Sequence, residues 1–169
     1  ASLIVGTDKQ AGLYVYGLDG QVRDFSNAGR VNNVDLVDTP VGVIVAASDR
    51  SDEAKAQIAL FRLNTTTARL EPIGRVPAGA GEAYGMCLWA TPRALTAFIV
   101  IKDGTIRQIE LDTAKASGRI VRSLKLSTQS EGCVVDARTA QSRQHGLSID
   151  ACAECTGLYV AGDADRWGR

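Results

Sequence analysis

Three cations recur at matching places along the chain and could together bind a phosphate group. Lys9, Arg50 and Lys102 each come at the end of a short apolar segment. Cations that share one place repel each other unless an anion lies between them. Arginine presents a planar fork to phosphate oxygens, and lysine supplies a mobile point charge. Three unrelated, solvated surface charges are the alternative, and the shared register favours the anion site.

Carboxylate and amide side chains accompany the cations. They stand beside them or open the apolar segments that follow: Asp8, Asp49, Asp103, Asn33, Asp35, Glu82 and Glu131. Oxygen ligands without histidine or thiolate suit calcium or magnesium rather than zinc. Together with the cations they indicate metal-assisted handling of a phosphate, in which the metal activates water and neutralises charge. Loop carboxylates that are merely solvated are the alternative.

The elements that must position these residues are short strands. Three segments that alternate apolar and polar residues end in leucine plus Asp or Asn, at 13–19, 58–64 and 106–112. A second set lies at 3–9, 44–50 and 98–103, and a third at 32–37, 84–89 and 131–136. A repeat of short strands every 45 to 48 residues is typical of a propeller blade. A β-sandwich with accidental internal similarity is the alternative.

The period predicts an all-β chain: one incomplete β-propeller domain over residues 1–169, with about three and a half four-stranded blades. An open arc leaves strand edges unpaired, so the length alone predicts that blades are missing at one or both ends. Equivalent strands end at the same rim of a propeller. We therefore expect the three cations to converge.

Composition excludes some partners. Lysine plus arginine equal aspartate plus glutamate at 19 each, which argues against nucleic acid because phosphate backbones attract a basic surplus. No apolar run approaches the roughly 18 residues of a membrane helix. The chain opens on an apolar run without a basic region, so we expect a removed leader or a piece of a larger gene. Cys87 and Cys133 lie in apolar stretches and are interpreted as buried thiols, which leaves the compartment open.

Six segments resemble, in order and spacing, the motifs of the β-propeller phytases. They are residues 9–20, 30–35, 46–51, 82–85, 102–104 and 127–132, and the resemblance runs from about Leu3 to Asp136. It implies a six-bladed parent with a calcium-lined site on one rim, in a secreted or periplasmic enzyme. There a metal-bridged water would attack a phosphomonoester of phytate, or of calcium-phytate, and release inorganic phosphate.

The resemblance also implies roles for single residues. By position, Lys9, Arg50, Tyr84 and Lys102 would bind phosphate, and Glu131 would be a calcium ligand.

Further calcium ligands are implied with departures from the family pattern. Asp103 stands where the family often has glutamate, and Val34 and Asp35 match a segment near a structural calcium. Residues 137–157 form an atypical insertion that we expect to be a loop, after which only Asp163 matches a paired acidic motif. Because the remaining calcium motifs are absent, we expect these 169 residues alone to be inactive.

Other interpretations remain open. Within the insertion, Cys152 and Cys155 form a CxxC near His145, which could belong to a zinc site, a redox pair or, as we expect, a surface loop. A non-catalytic propeller that binds an anionic ligand on its rim is the main rival function. A calcium-dependent hydrolase of lactones or aryl esters is a third, but a neutral ester does not call for three cations.

Overall fold

The computed structural model describes residues 2–136 and 148–152, and every regular element in these ranges is a β-strand. In chain order the strands are β1 (Leu3–Asp8), β2 (Gly12–Gly17), β3 (Val22–Asn27), β4 (Val31–Thr39), β5 (Gly42–Asp49), β6 (Lys55–Asn64), β7 (Arg69–Ala80), β8 (Ala83–Ala90), β9 (Leu95–Ile101), β10 (Thr105–Asp112), β11 (Ser117–Lys125), β12 (Gly132–Asp136) and β13 (Ser148–Cys152). None of these residues belongs to a helix long and apolar enough to cross a membrane.

The strands form four antiparallel sheets that follow one another along the chain. The first sheet has the order β1-β2-β3, and the fourth consists of β12 and β13. Between them lie two four-stranded sheets, which we call the second and third blades. The second blade has the order β4-β5-β6-β7, and the third blade has the corresponding order β8-β9-β10-β11. The all-β propeller predicted from the sequence is confirmed, since two complete four-stranded blades stand between two partial ones.

Successive sheets pack face to face through apolar side chains. Between the first sheet and the second blade, Leu13 and Val15 lie in one cluster with Val45. Between the second and third blades, Ile58 and Ile99 belong to another cluster and are fully buried. Each blade therefore uses both faces of its sheet to build the core, which explains the near-continuous apolar runs of β5 and β9.

The innermost strands β4, β8 and β12 lie side by side and approach closely at their starts. A Cβ atom added to Gly85 would lie 2.7 Å from the carbonyl oxygen of Glu131 and 2.8 Å from the Cα of Gly132. Real Cβ atoms do not come this close to backbone atoms, so only glycine lets β8 and β12 meet at this point.

One expectation about the cysteines is wrong. Cys87 of β8 and Cys133 of β12 are not separate buried thiols but form a disulfide, with Cα atoms 5.7 Å apart and a sequence separation of 46. The separation is about one blade repeat, and the bond becomes possible because β8 and β12 are neighbours in space. It joins the third blade to the fourth sheet.

The segment 137–157, expected to be a loop, contains a strand. Residues 148–152 form β13, which pairs antiparallel with β12 in a register that sets Val134 opposite Asp150. The rest of the insertion lies outside the described residues, and with it His145 and Cys155.

We predict that Gly85→Ala destabilises the protein by about 1–3 kcal/mol, the usual cost of forcing a group into a packed interior. The matched control is Gly6→Ala in β1, where an added Cβ would meet only the Cε2 atom of Tyr16 at 3.7 Å, an ordinary contact. Urea unfolding of both variants checks this. Equal stability of the two would show that β8 and β12 are not held this closely.

Candidate functional site

The strand registers bring the predicted phosphate-binding residues to one rim. Val31 at the start of β4 pairs with Asp49 at the end of β5, and Ala83 at the start of β8 pairs with Ile101 at the end of β9. Residues that follow β5 or β9 therefore lie beside the starts of the innermost strands. The backbone N–H of Lys102 donates to the carbonyl of Glu82 at 3.0 Å, which continues this ladder to the rim.

A carboxylate lies between two of the predicted cations. Glu82 precedes β8 directly and is 8% exposed. Its Oε1 accepts a hydrogen bond from Nη1 of Arg50 at 3.3 Å, and its Oε2 accepts one from Nζ of Lys102 at 2.7 Å. The second and third blades thus each contribute one cation to a shared anion. We call Arg50, Glu82, Tyr84 and Lys102 the rim cluster.

Tyr84 completes the rim cluster. The Cζ atom of Arg50 and the Nζ atom of Lys102 each lie 5.7 Å from the centre of its ring. Cations within about 6 Å of an aromatic ring are attracted by its electron-rich face. The backbone of Tyr84 is also fixed by a hydrogen bond. The buried Ser48 hydroxyl donates to the Tyr84 carbonyl oxygen and accepts from the N–H of Asn33.

The charges of the rim cluster stabilise each other. The hydrogen bond from Lys102 is the main cause that lowers the pKa of Glu82 below its ordinary value of 4.5, and it outweighs the opposing effect of burial. The same contact raises the pKa of Lys102 above its ordinary value of 10.5. At neutral pH the pair is therefore fully ionised.

Arg50 retains a free donor. Its side chain is 15% exposed, and its Nε atom is buried without a hydrogen-bond partner among the described residues. Buried donors are nearly always paired in native proteins, and an unpaired one calls for an explanation.

Lys9 occupies the equivalent place in the first sheet. It follows β1, the counterpart of β5 and β9, and its side chain is exposed. Among the described residues it forms no ion pair, so it does not join the contacts around Glu82. Its side chain is free to turn toward a ligand at the rim.

The predicted calcium ligands are engaged elsewhere or lie apart. Asp103 accepts hydrogen bonds from Lys125 and from the N–H of Thr105, and these contacts hold its pKa well below the ordinary range. Asp35 accepts from the backbone N–H of Leu88 at 2.8 Å and so links β4 to β8. Val34, next to Asp35, packs against the core.

The last two predicted ligands lie at and beyond β12. Glu131 is exposed, and its carbonyl accepts from the side chain of Asn33 at 3.3 Å. Asp163 lies outside the described residues. Over residues 2–136 and 148–152, no three His, Cys, Asp or Glu side chains are arranged to hold a metal ion. These residues therefore do not by themselves fit calcium.

The sequence indicated Glu82 as one of several carboxylates but not as the partner of both cations. The position of Glu82 could have identified it, because Glu82 lies two residues before Tyr84 and opposite the end of β9. Ser48 was missed as well, although it directly precedes the Asp49-Arg50 pair.

The chain is similar to known proteins over most of its length. A family model described as Phytase matches residues 1–143. A 3-phytase of Bacillus subtilis (strain 168) is 32% identical over an alignment of 148 residues, and the match covers 80% of this chain and 39% of that protein. The chain thus spans well under half the length of this relative. Among solved structures, the crystal structure of BBS1N in complex with ARL6DN is similar, with a TM-score of 0.55 and 10% sequence identity. The match covers 88% of this chain and 43% of the chain in that structure, and it supports the fold alone.

We predict a pH-dependent contribution of Glu82 to stability. A lowered carboxylate pKa gives stability that is present above the ordinary value of 4.5 and is lost as pH falls through the lowered value. The raised pKa of Lys102 gives stability that is present below 10.5 and is lost as pH rises through the raised value. Glu82→Gln should therefore lower the unfolding temperature at pH 7 by roughly 2–4 °C.

The difference between wild type and Glu82→Gln should shrink as the pH falls below 4.5. Glu53→Gln is the control, because Glu53 pairs with Arg30 at 3.1 Å but is 57% exposed, so its removal should change little. Thermal unfolding from pH 3 to pH 8 measures both. A constant difference over that range would show that Glu82 does not stabilise the protein through its charge.

Proposed function

Because the chain belongs to the phytase family, we propose that the protein containing it hydrolyses phosphomonoesters of phytate, myo-inositol hexakisphosphate, and releases inorganic phosphate. The observation that carries this proposal is the rim cluster, in which Arg50 and Lys102 flank one buried carboxylate beside Tyr84. Such an arrangement suits an anion with several oxygens.

Each member of the rim cluster has a distinct part in this proposal. Arg50 is largely buried and fixed, so it orients one phosphate oxygen through its planar fork. Lys102 is 54% exposed, so its ammonium group can move with the ligand. Both cations offset the negative charge of the phosphate group, which would otherwise repel an attacking water, and they stabilise the charge of the transition state. Lys9 adds a third cation from the first sheet.

Calcium is part of the proposal and rests on the family resemblance. When bound, it would activate the attacking water and neutralise phosphate charge. The proposed ligands are Glu131 and Asp163, together with Asp103, Val34 and Asp35. Calcium takes six to eight oxygens. We therefore propose that the missing ligands come from further blades of a six-bladed protein, and that the 169 residues alone are inactive.

We also propose that the protein is secreted or periplasmic. The disulfide between Cys87 and Cys133 supports this location, because such bonds persist in oxidising compartments and are rare in the cytosol. Phytate or calcium-phytate would then be met outside the cytoplasm.

A second candidate is a propeller that binds an anionic ligand without hydrolysing it. It is favoured by the same rim cluster, combined with the lack of a three-acid metal group in the residues that the structure describes. Release of inorganic phosphate from phytate by the full-length protein distinguishes the two functions, since the second candidate would bind phytate and leave it intact.

In the full-length protein, Arg50→Ala should lower kcat/KM for phytate by about ten- to a hundredfold, since a hydrogen bond to a charged group is worth roughly 1.5–3 kcal/mol. Arg119→Ala is the control, because Arg119 lies on the outermost strand β11 and forms an exposed pair with Glu110. Steady-state phosphate release measures both. Unchanged kinetics in Arg50→Ala would remove the rim cluster from the reaction.

Calcium should raise both the activity and the unfolding temperature of the full-length protein, because a ligand that binds the native state adds stability by mass action. Zinc should substitute poorly, since the proposed ligands offer oxygen rather than nitrogen or sulfur. Activity and thermal unfolding are measured after chelation and after each metal is restored. Full activity in the chelated protein would contradict the calcium requirement.

A further inference from the structure

Glu82 is the one member of the rim cluster that phosphate binding does not call for. It carries negative charge, is 8% exposed, and already pairs with both cations that would bind the anion. We propose that Glu82 is an exchangeable internal counter-ion, which holds Arg50 and Lys102 in place while the site is empty and weakens the hold of the site on released phosphate. This inference rests on the proposed function.

The geometry resembles that of a bound anion. The two carboxylate oxygens are divided between the cations, with Oε1 serving Arg50 at 3.3 Å and Oε2 serving Lys102 at 2.7 Å. Without this carboxylate the two cations would share one place with no anion between them, each 5.7 Å from the centre of the Tyr84 ring. The empty site would then carry two uncompensated positive charges at a partly buried position, which is costly.

The contacts differ in how readily an incoming anion can replace them. The side chain of Lys102 is half-exposed and flexible. Its short hydrogen bond to Glu82 can therefore be exchanged for a hydrogen bond to a phosphate oxygen. Arg50 can keep its Nη1 contact with Glu82 while the anion binds. Binding therefore breaks one ion pair and leaves the other in place.

The Glu82 carboxylate remains in the site when the anion binds, and its charge lowers the affinity of the site for phosphate. Arg50, Lys102 and Glu82 carry a net charge of +1 together, and the two cations alone would carry +2. A phosphate dianion beside a buried carboxylate is repelled by it, and the repulsion is strong where water is largely excluded. A substrate with several phosphates gains contacts elsewhere, but free inorganic phosphate has only this site. The counter-ion thus favours release of the product.

The test is direct binding of inorganic phosphate to the full-length protein by calorimetry, without turnover. Glu82→Gln should bind phosphate at least about tenfold more tightly than wild type, because the repelling charge is gone and the shape is kept. Glu82→Asp keeps the charge and should stay within about threefold of wild type. Glu53→Gln, which alters an exposed acid paired with Arg30, should bind like wild type.

Steady-state kinetics give a second measurement. Glu82→Gln should show stronger inhibition by inorganic phosphate and a lower KM for phytate, with kcat lowered if product release limits turnover. Equal or weaker phosphate binding by a folded Glu82→Gln protein would overturn the inference. If the wild-type protein releases no inorganic phosphate from phytate, the proposed function fails instead.

A measurement on the wild-type protein covers the case in which Glu82→Gln does not fold. The ε-ammonium signal of ¹⁵N-labelled Lys102, identified by its loss in Lys102→Arg, should shift when inorganic phosphate is added. A signal that stays unchanged while phosphate binds would show that the Lys102–Glu82 pair does not exchange, and the inference would be wrong.

Discussion

The pairing of each innermost strand with its neighbour is the constraint on which the whole rim depends. Val31 opposite Asp49 and Ala83 opposite Ile101 decide which residues reach the rim and which face they occupy. In both strands the register shifts directly after this pair, between Val31 and Val34 and between Ala83 and Met86, so Tyr84 lies where the regular alternation of side chains is broken. The register is protected by burial, since Val31 and Ala83 are fully enclosed by the core.

Polar contacts between blades then place one innermost strand against the next. Asp35 of β4 accepts from the backbone of β8, Ser48 of β5 donates to the carbonyl of Tyr84, and Asn33 of β4 reaches the carbonyl of Glu131. The rim cluster is therefore a property of two blades rather than of one. Arg50 comes from the second blade, whereas Glu82 and Lys102 come from the third.

Much of this architecture could be read from the sequence, because strands buried on both faces leave a clear signal. The segments that became β5, β6, β9 and β10 repeat with the blade period, and the residue after each second strand is a cation. The outermost strands left no such signal, since β11 is mostly exposed and alternates little.

Contacts that join distant residues were beyond the reach of sequence patterns. The sharing of Glu82 between Arg50 and Lys102, and the pairing of Asp103 with Lys125, depend on how blades and hairpins meet in space. The bond between Cys87 and Cys133 depends in the same way on the two innermost strands being neighbours. That bond also encloses β9, β10 and β11 within a covalent loop of the chain. A protease that cuts one peptide bond inside this loop would leave both pieces attached, so the third blade of a nicked molecule stays linked to its neighbour until the disulfide is reduced.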